Sequence, residues 1–271
     1  MRWKADWTLP VIVVLLLASC SAAVREAKRG FGEGLGSAVG ESVGRAVGNR
    51  IAAGITGRLP AVMTPDLMEF YVGYLFTVAF HSGSYSLEQV SYEPGEWTHW
   101  RILDDEEGTA DIERAFIERT AEGDEWWRVK LTTTSEGEEN EMIIEALFSG
   151  DHAQLVRLRA LMPGATEPSE LPVREGAYGY RAPIRLTEES IEGATVGVER
   201  VTVPAGTFQA RHIRYGSLDG GTLEWWLADS VPGGVVRYTS RDVDDEPVVV
   251  ELTGYGKGAR SELGTGAGHT P

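Results

Sequence analysis

Chemistry in this chain would have to come from five histidines, one cysteine, three acidic runs and a set of paired tryptophans. His81, His99, His152, His212 and His269 are scattered, none at metal-ligand spacing, and no H-E-x-x-H or G-x-S-x-G motif accompanies them. His212 sits between Arg211 and Arg214 along the chain, a poor setting for a cation. Asp104–Glu107, Glu136–Glu141 and Asp242–Glu246 read as solvated hairpin tips; weak calcium capture is the alternative, but none has EF-hand spacing. Gly32-Glu33-Gly34-Leu35-Gly36 lacks both a preceding strand and the Lys-Ser/Thr of a phosphate loop. No catalytic residue, metal ligand or cofactor motif can be nominated, and the chain reads as non-enzymatic. The positive signal is aromatic. Trp97, Trp100, Trp127, Trp225 and Trp226 lie in strand-like stretches and are the candidate ligand-binding residues for an acyl chain or other apolar molecule. The competing reading is that protein closes both faces of their sheet.

The whole composition narrows the partners. In 271 residues, 25 Lys and Arg face 41 Asp and Glu, a formal net charge of −16. Nucleic-acid binding needs a basic footprint, and none is present. A single cysteine excludes an intramolecular disulfide framework and a Cys-rich zinc site.

That cysteine follows an export-like segment. Arg2 and Lys4 precede the nearly unbroken apolar run Leu9–Ala18, and Cys20 comes two residues later. Ten apolar residues reach ~15 Å as a helix, about half the thickness of a bilayer core, so the run reads as a processed signal rather than a span. Leu17-Ala18-Ser19-Cys20 resembles the lipobox of bacterial lipoproteins. The resemblance implies cleavage after residue 19, a diacylglyceryl group on Cys20 and acylation of its new amino group. It implies a lipid anchor in the cell envelope, and Ser21 rather than Asp after the cysteine favours the outer membrane, facing the periplasm. Two or more acyl chains hold a protein stably where one does not.

Residues 20–60 form a distinct arm. Gly32, Gly36, Gly40, Gly44 and Gly48 recur every fourth position, with Leu35, Val39, Val43 and Val47 one place earlier. On a helix this is a stripe of small residues that admits another helix, which makes the arm a candidate for self-association or for an envelope-protein partner. Each interior glycine costs ~1 kcal/mol of helix stability, so a tether is the alternative.

From residue 61 to 256 the pattern is that of one β-rich domain. Thr64-Pro65-Asp66 is a helix start, and Leu67–Phe80 reads as one apolar helix, with a pair of strands as the alternative. Period-two alternation then predicts strands at Glu96–Leu103, Ile112–Arg119, Trp126–Leu131, Met142–Phe148 and Leu155–Leu161. Proline-rich Met162–Gly179 reads as a long loop. Strands resume around Tyr180–Leu186, Thr195–Val203, Thr207–Tyr215, Gly221–Leu227, Val235–Ser240 and Pro247–Tyr255, with no helix expected between them. Residues 257–271 read as a flexible tail.

Two segments are distinctive: Val201–Arg211 (VTVPAGTFQAR) and Glu224–Val236 (EWWLADSVPGGVV). Each joins strands through a Pro/Gly turn, and adjacent Trp225 and Trp226 must point to opposite faces. Together they resemble uncharacterised bacterial periplasmic domains related to the LolA/LolB-like half-barrels. The resemblance covers about Thr195–Gly256. It implies a curved antiparallel sheet, a half-open barrel packed with the apolar helix, whose concave face holds acyl chains or another apolar cargo. The expected function is thus a membrane-anchored envelope lipoprotein that binds an acyl chain, or a structural lipoprotein whose groove is filled by its own helix; an envelope hydrolase ranks below both.

Overall fold

The computed structural model describes residues 65–80, 85–87, 91–104, 108–135, 138–216, 221–241 and 247–264. The signal, Cys20, the glycine arm, the Thr64 cap, His81, His269 and residues 105–107, 136–137 and 242–246 of the acidic runs lie outside the described residues; residues 138–141 of the second run begin β5 rather than forming a hairpin tip.

Helix α1 (Pro65–Phe80) is the apolar helix expected from the sequence. It is followed by β1 (Tyr85–Leu87), β2 (Glu96–Asp104), β3 (Gly108–Arg119), β4 (Glu125–Ser135), β5 (Glu138–Phe148), β6 (Leu155–Leu161) and β7 (Ser169–Leu171). Then come a 3-10 turn at Ala177–Gly179, β8 (Ile184–Leu186), α2 (Glu188–Ala194), β9 (Thr195–Val203), β10 (Gly206–Gly216), β11 (Thr222–Leu227), β12 (Val235–Arg241) and β13 (Val248–Lys257). The fold is mainly β. Eleven strands make one antiparallel sheet in the order β7-β6-β5-β4-β3-β2-β13-β12-β11-β10-β9. Two meanders thus flank a central β2–β13 pair that joins the first and last long strands. Strands β1 and β8 form a separate two-stranded parallel pair.

The sheet is curved and does not close. Register breaks at Phe116/Glu118, Leu147/Phe148, His212/Ile213, Trp226/Leu227 and Leu252/Gly254 bend it. The bend at Leu252 is used directly. There β13 leaves the β12 ladder, and the Leu252 carbonyl accepts the amide of Ala205, in the VPAGTF turn between β9 and β10, at 3.0 Å. The last five strands are rolled so that the β9–β10 tip rests on β13.

Alternation puts one set of side chains inside. Trp127, Val129 and Leu131 of β4 are buried with Ile112 and Phe116 of β3, Met142, Ile144, Ala146 and Phe148 of β5, and Leu158 and Ala160 of β6. Helix α1 covers this inner face. Phe76 meets Phe148 edge-on at 5.7 Å between centroids, and Phe80 meets Trp127 at 5.7 Å and Phe148 at 4.9 Å.

Three expectations need correction. The region between β7 and β9 is not free of helix: α2 forms there because Thr187 caps it, its Oγ1 accepting the Ser190 amide at 3.2 Å, with Glu188 and Glu189 in the first turn. The expected loop holds for most of Met162–Gly179, interrupted by the short strand β7 and the 3-10 turn, while only β8 forms of the longer strand expected at Tyr180–Leu186. In the segment expected to be tail, β13 runs to Lys257, and residues 258–264 lie packed on the sheet, with Leu263 buried.

Candidate functional site

The five nominated tryptophans do not converge. Trp100, Trp127 and Trp226 face the inner side, whereas Trp97 and Trp225 face the outer side. Trp97 lies over the bare backbone of Gly254 and Gly256, where an added Cβ at Gly256 would stand 3.0 Å from its ring. Trp225 is buried beneath α2 in a small outer core with Leu186, Ile191, Ile213 and Leu227. Trp225 and Trp226 do point to opposite faces, as alternation requires.

The inner face gathers around a residue that the sequence reading passed over. Arg114 of β3 stands on the same face as Ile112 and Phe116, among aromatics. Its guanidinium carbon lies 4.6 Å from the Tyr92 ring centroid, 5.3 Å from Trp100 and 5.7 Å from Trp127. Arg114 Nη1 donates to the carbonyl of Ala79 in the last turn of α1, and Nη2 donates to Tyr92 Oη at 2.9 Å. Tyr92 Oη also shares a short hydrogen bond with Thr98 Oγ1. No basic residue occupies the last turn of α1, so Arg114 supplies the positive charge that the helix C-terminus favours. The VPGGVV turn closes the cluster: Trp100 Nε1 donates to the Val235 carbonyl at 3.4 Å, and Gly233 lies against Tyr92 and Arg114. Sequence alternation could have flagged an arginine on an apolar face, but its partners come from four distant segments.

Two histidines join carboxylates through pairings that sequence spacing hides. His152, in the β5–β6 turn at φ 57°, places Nε2 2.7 Å from Glu125 Oε2 and stacks on Phe148. Glu125 also receives Trp127 Nε1 at 3.1 Å and Arg119 Nη2 at 2.6 Å. His212 stacks on Trp226 at 4.4 Å, with Nε2 2.5 Å from Glu224 and Nδ1 3.2 Å from Glu199. It is thus paired with acids across the sheet rather than with its chain neighbours Arg211 and Arg214. Among the described residues neither of these two rings is bonded to a hydroxyl, whereas His99 Nδ1 lies 3.0 Å from Thr253 Oγ1; no group of three His, Cys, Asp or Glu able to hold a metal occurs among them. Both networks tie strands together.

The Glu125 network has a pH consequence. Burial pushes its carboxyl up, but the hydrogen bonds from His152, Arg119 and Trp127 outweigh burial and hold it below the ordinary range. A lowered carboxyl pKa contributes stability that is complete above the unfolded value, about 4.3, and is lost as pH falls through the native one. In Glu125→Gln (E125Q), the urea midpoint should change less than wild type between about pH 6 and pH 3, and that difference reports this carboxyl. Parallel midpoint curves for the two proteins would refute the assignment.

No family model and no curated protein matches this sequence. Among solved structures it is similar to a protein provisionally designated a lipoprotein from Parabacteroides distasonis (10% identity, 62% of this chain and 97% of that one, TM-score 0.30). It is also similar to an exported protein, likewise provisionally designated, with a YmcC-like fold from Bacteroides fragilis (12% identity, 62% and 98%, TM-score 0.31). A chain of the Pseudomonas aeruginosa MucA/MucB complex is a third (14% identity, 64% and 56%, TM-score 0.35).

Proposed function

We propose that this protein is a non-catalytic lipoprotein of the cell envelope, anchored through acylated Cys20, whose β domain is closed by its own helix and meets partners through its surface and arm. The observation that carries this reading is the seat of α1. Phe76 and Phe80 fill the inner face against Phe148 and Trp127, and Arg114 fastens the end of the helix. Space that a half-barrel would offer to an acyl chain is taken over β4 and β5 by the protein itself.

Binding of an acyl chain is the second reading, and one observation favours it. The Tyr74 hydroxyl, on α1 within the helix–sheet core, is buried without a hydrogen-bond partner among the described residues. A buried hydroxyl without a partner costs about 1–3 kcal/mol, which a ligand headgroup would offset. Titration of the full-length protein with a fluorescent fatty acid separates the two readings. The self-filled domain should show no saturable uptake. Saturable uptake that Tyr74→Phe (Y74F) weakens would replace it with the acyl-binding reading.

The anchor is tested independently. Cys20→Ala (C20A) should leave the chain without acyl mass and move it from the membrane pellet to the soluble fraction. A wild-type chain whose intact mass carries no acyl groups would remove the anchor from the reading.

A further inference from the structure

The outer face of the first meander carries a row of buried charge, unusual on the side of a sheet that normally faces water. Ala115, Arg128, Glu145, Arg159 and Glu170 are direct cross-strand partners from β3 to β7. Glu145 is 2% exposed, Arg128 5% and Arg159 7%. Their cover is the segment that follows β13. It leaves the sheet after the Lys257–Glu96 pair, is tied once by the Ala259 amide to the Gly95 carbonyl at 2.9 Å, and crosses the strands.

The row reads the backbone of that segment in order. Arg128 Nη1 donates to the Arg260 carbonyl. Glu145 accepts the Glu262 amide at 2.7 Å, the Leu263 amide at 3.2 Å and the Ser261 hydroxyl at 2.8 Å. Arg159 Nη1 donates to the Gly264 carbonyl. Arg128 and Lys130 each reach Glu262 at 2.7 Å. Leu263 is the one buried apolar side chain of the segment, and Ile143 and Leu147 are buried on the same outer face of β5, either side of Glu145. Two strand spacings separate Arg128 from Arg159, about 10 Å, and four residues of extended chain span that distance. None of these bonds belongs to the sheet ladder, so the segment can leave without unpairing a strand. Buried charges that lose their partners are costly, which makes the row specific for an occupant with the same groups in the same order.

We propose that this row is a docking track for an extended peptide, and that the protein fills it with its own residues 260–264 as a detachable strap. The strap is recognised by backbone hydrogen bonds at residues 260, 262, 263 and 264, by the Ser261 hydroxyl, by the acid of residue 262 and by the apolar anchor of residue 263. A peptide of that pattern on a separate chain therefore binds the vacated track.

The probe is a fluorescently labelled peptide with the sequence of residues 258–271. A chain ending at Lys257 should bind it saturably, and both the full-length chain and the shortened chain carrying Glu145→Gln (E145Q) should bind it at least tenfold more weakly. A shortened chain that unfolds cooperatively yet does not bind, or whose binding ignores E145Q, overturns the proposal. The full-length protein gives a second measurement that needs no truncation. Excess unlabelled peptide should speed hydrogen exchange at its own Glu262 and Leu263 amides several-fold. Exchange at those amides that is unchanged by the peptide overturns the proposal equally.

Discussion

Phe148→Ala (F148A) should lower the stability of the domain by about 3–5 kcal/mol, the range for removing a fully buried aromatic side chain. Phe148 is 0% exposed and is the residue on which four others meet: Phe76 and Phe80 from α1, Tyr180 from the segment after β7, and His152 from the β5–β6 turn. Removing its ring leaves a cavity between helix and sheet, and three of these neighbours are held elsewhere and cannot fill it. Phe80 is packed on Trp127, Tyr180 donates its hydroxyl to the His152 carbonyl at 2.7 Å, and His152 is bonded to Glu125. Chemical denaturation followed by tryptophan fluorescence measures the loss. A change below about 1.5 kcal/mol, the range of a tolerated volume-conserving swap, would mean that α1 is not seated as described. The same variant bears on function: if the seat of α1 is what excludes an acyl chain, the folded variant should take up a fatty-acid probe that wild type refuses.

Much of this architecture was legible beforehand, and the reasons are local. Trp127, Val129 and Leu131 alternate with Arg128 and Lys130, and period two can be read without knowing the neighbours. The apolar run of α1 follows Pro65 and ends near Ser82-Gly83-Ser84, so its length and type were visible too. Helix α2 and the packed segment after β13 were missed because their order is imposed from outside. Residues 258–264 are polar and glycine-rich, and their place depends on Glu145 more than a hundred positions earlier. Arg128 and Arg159 looked like the solvent side of their strands; the strap that buries them could not be inferred from alternation. The same holds for the tryptophans. Their supply was readable and their faces nearly so, but whether a face was open depended on α1, α2 and two glycines of β13. Cys20 and the arm remain readings of sequence, since they lie outside the described residues.

The second large effect concerns Gly233 of the VPGGVV turn, which should respond to one methyl group differently from Gly164, a glycine of similar φ between β6 and β7. Gly233 has φ 69° and Gly164 has φ 76°. Replacing either by alanine forces an L-residue into the left-handed region, at about 1–2 kcal/mol, and stiffens the unfolded chain by a similar amount in both cases. That part cancels in the comparison. Their surroundings do not match. A Cβ at Gly164 would meet nothing within 4 Å, while one at Gly233 would stand 2.8 Å from Arg114 Nη2 and inside van der Waals contact of the Tyr92 ring. Tyr92 is bonded to both Arg114 and Thr98, and Arg114 is committed to the end of α1, so neither can retreat cheaply. Overpacking of this kind costs about 1–3 kcal/mol. Gly233→Ala (G233A) should therefore be less stable than Gly164→Ala (G164A) by about that margin, and it should also loosen the helix. Hydrogen exchange near Ala79 should quicken in G233A and stay unchanged in G164A, because the disturbance reaches α1 only through Arg114. Equal stability of the two variants would detach the turn from the arginine cluster and leave the helix fastened by its aromatic contacts alone.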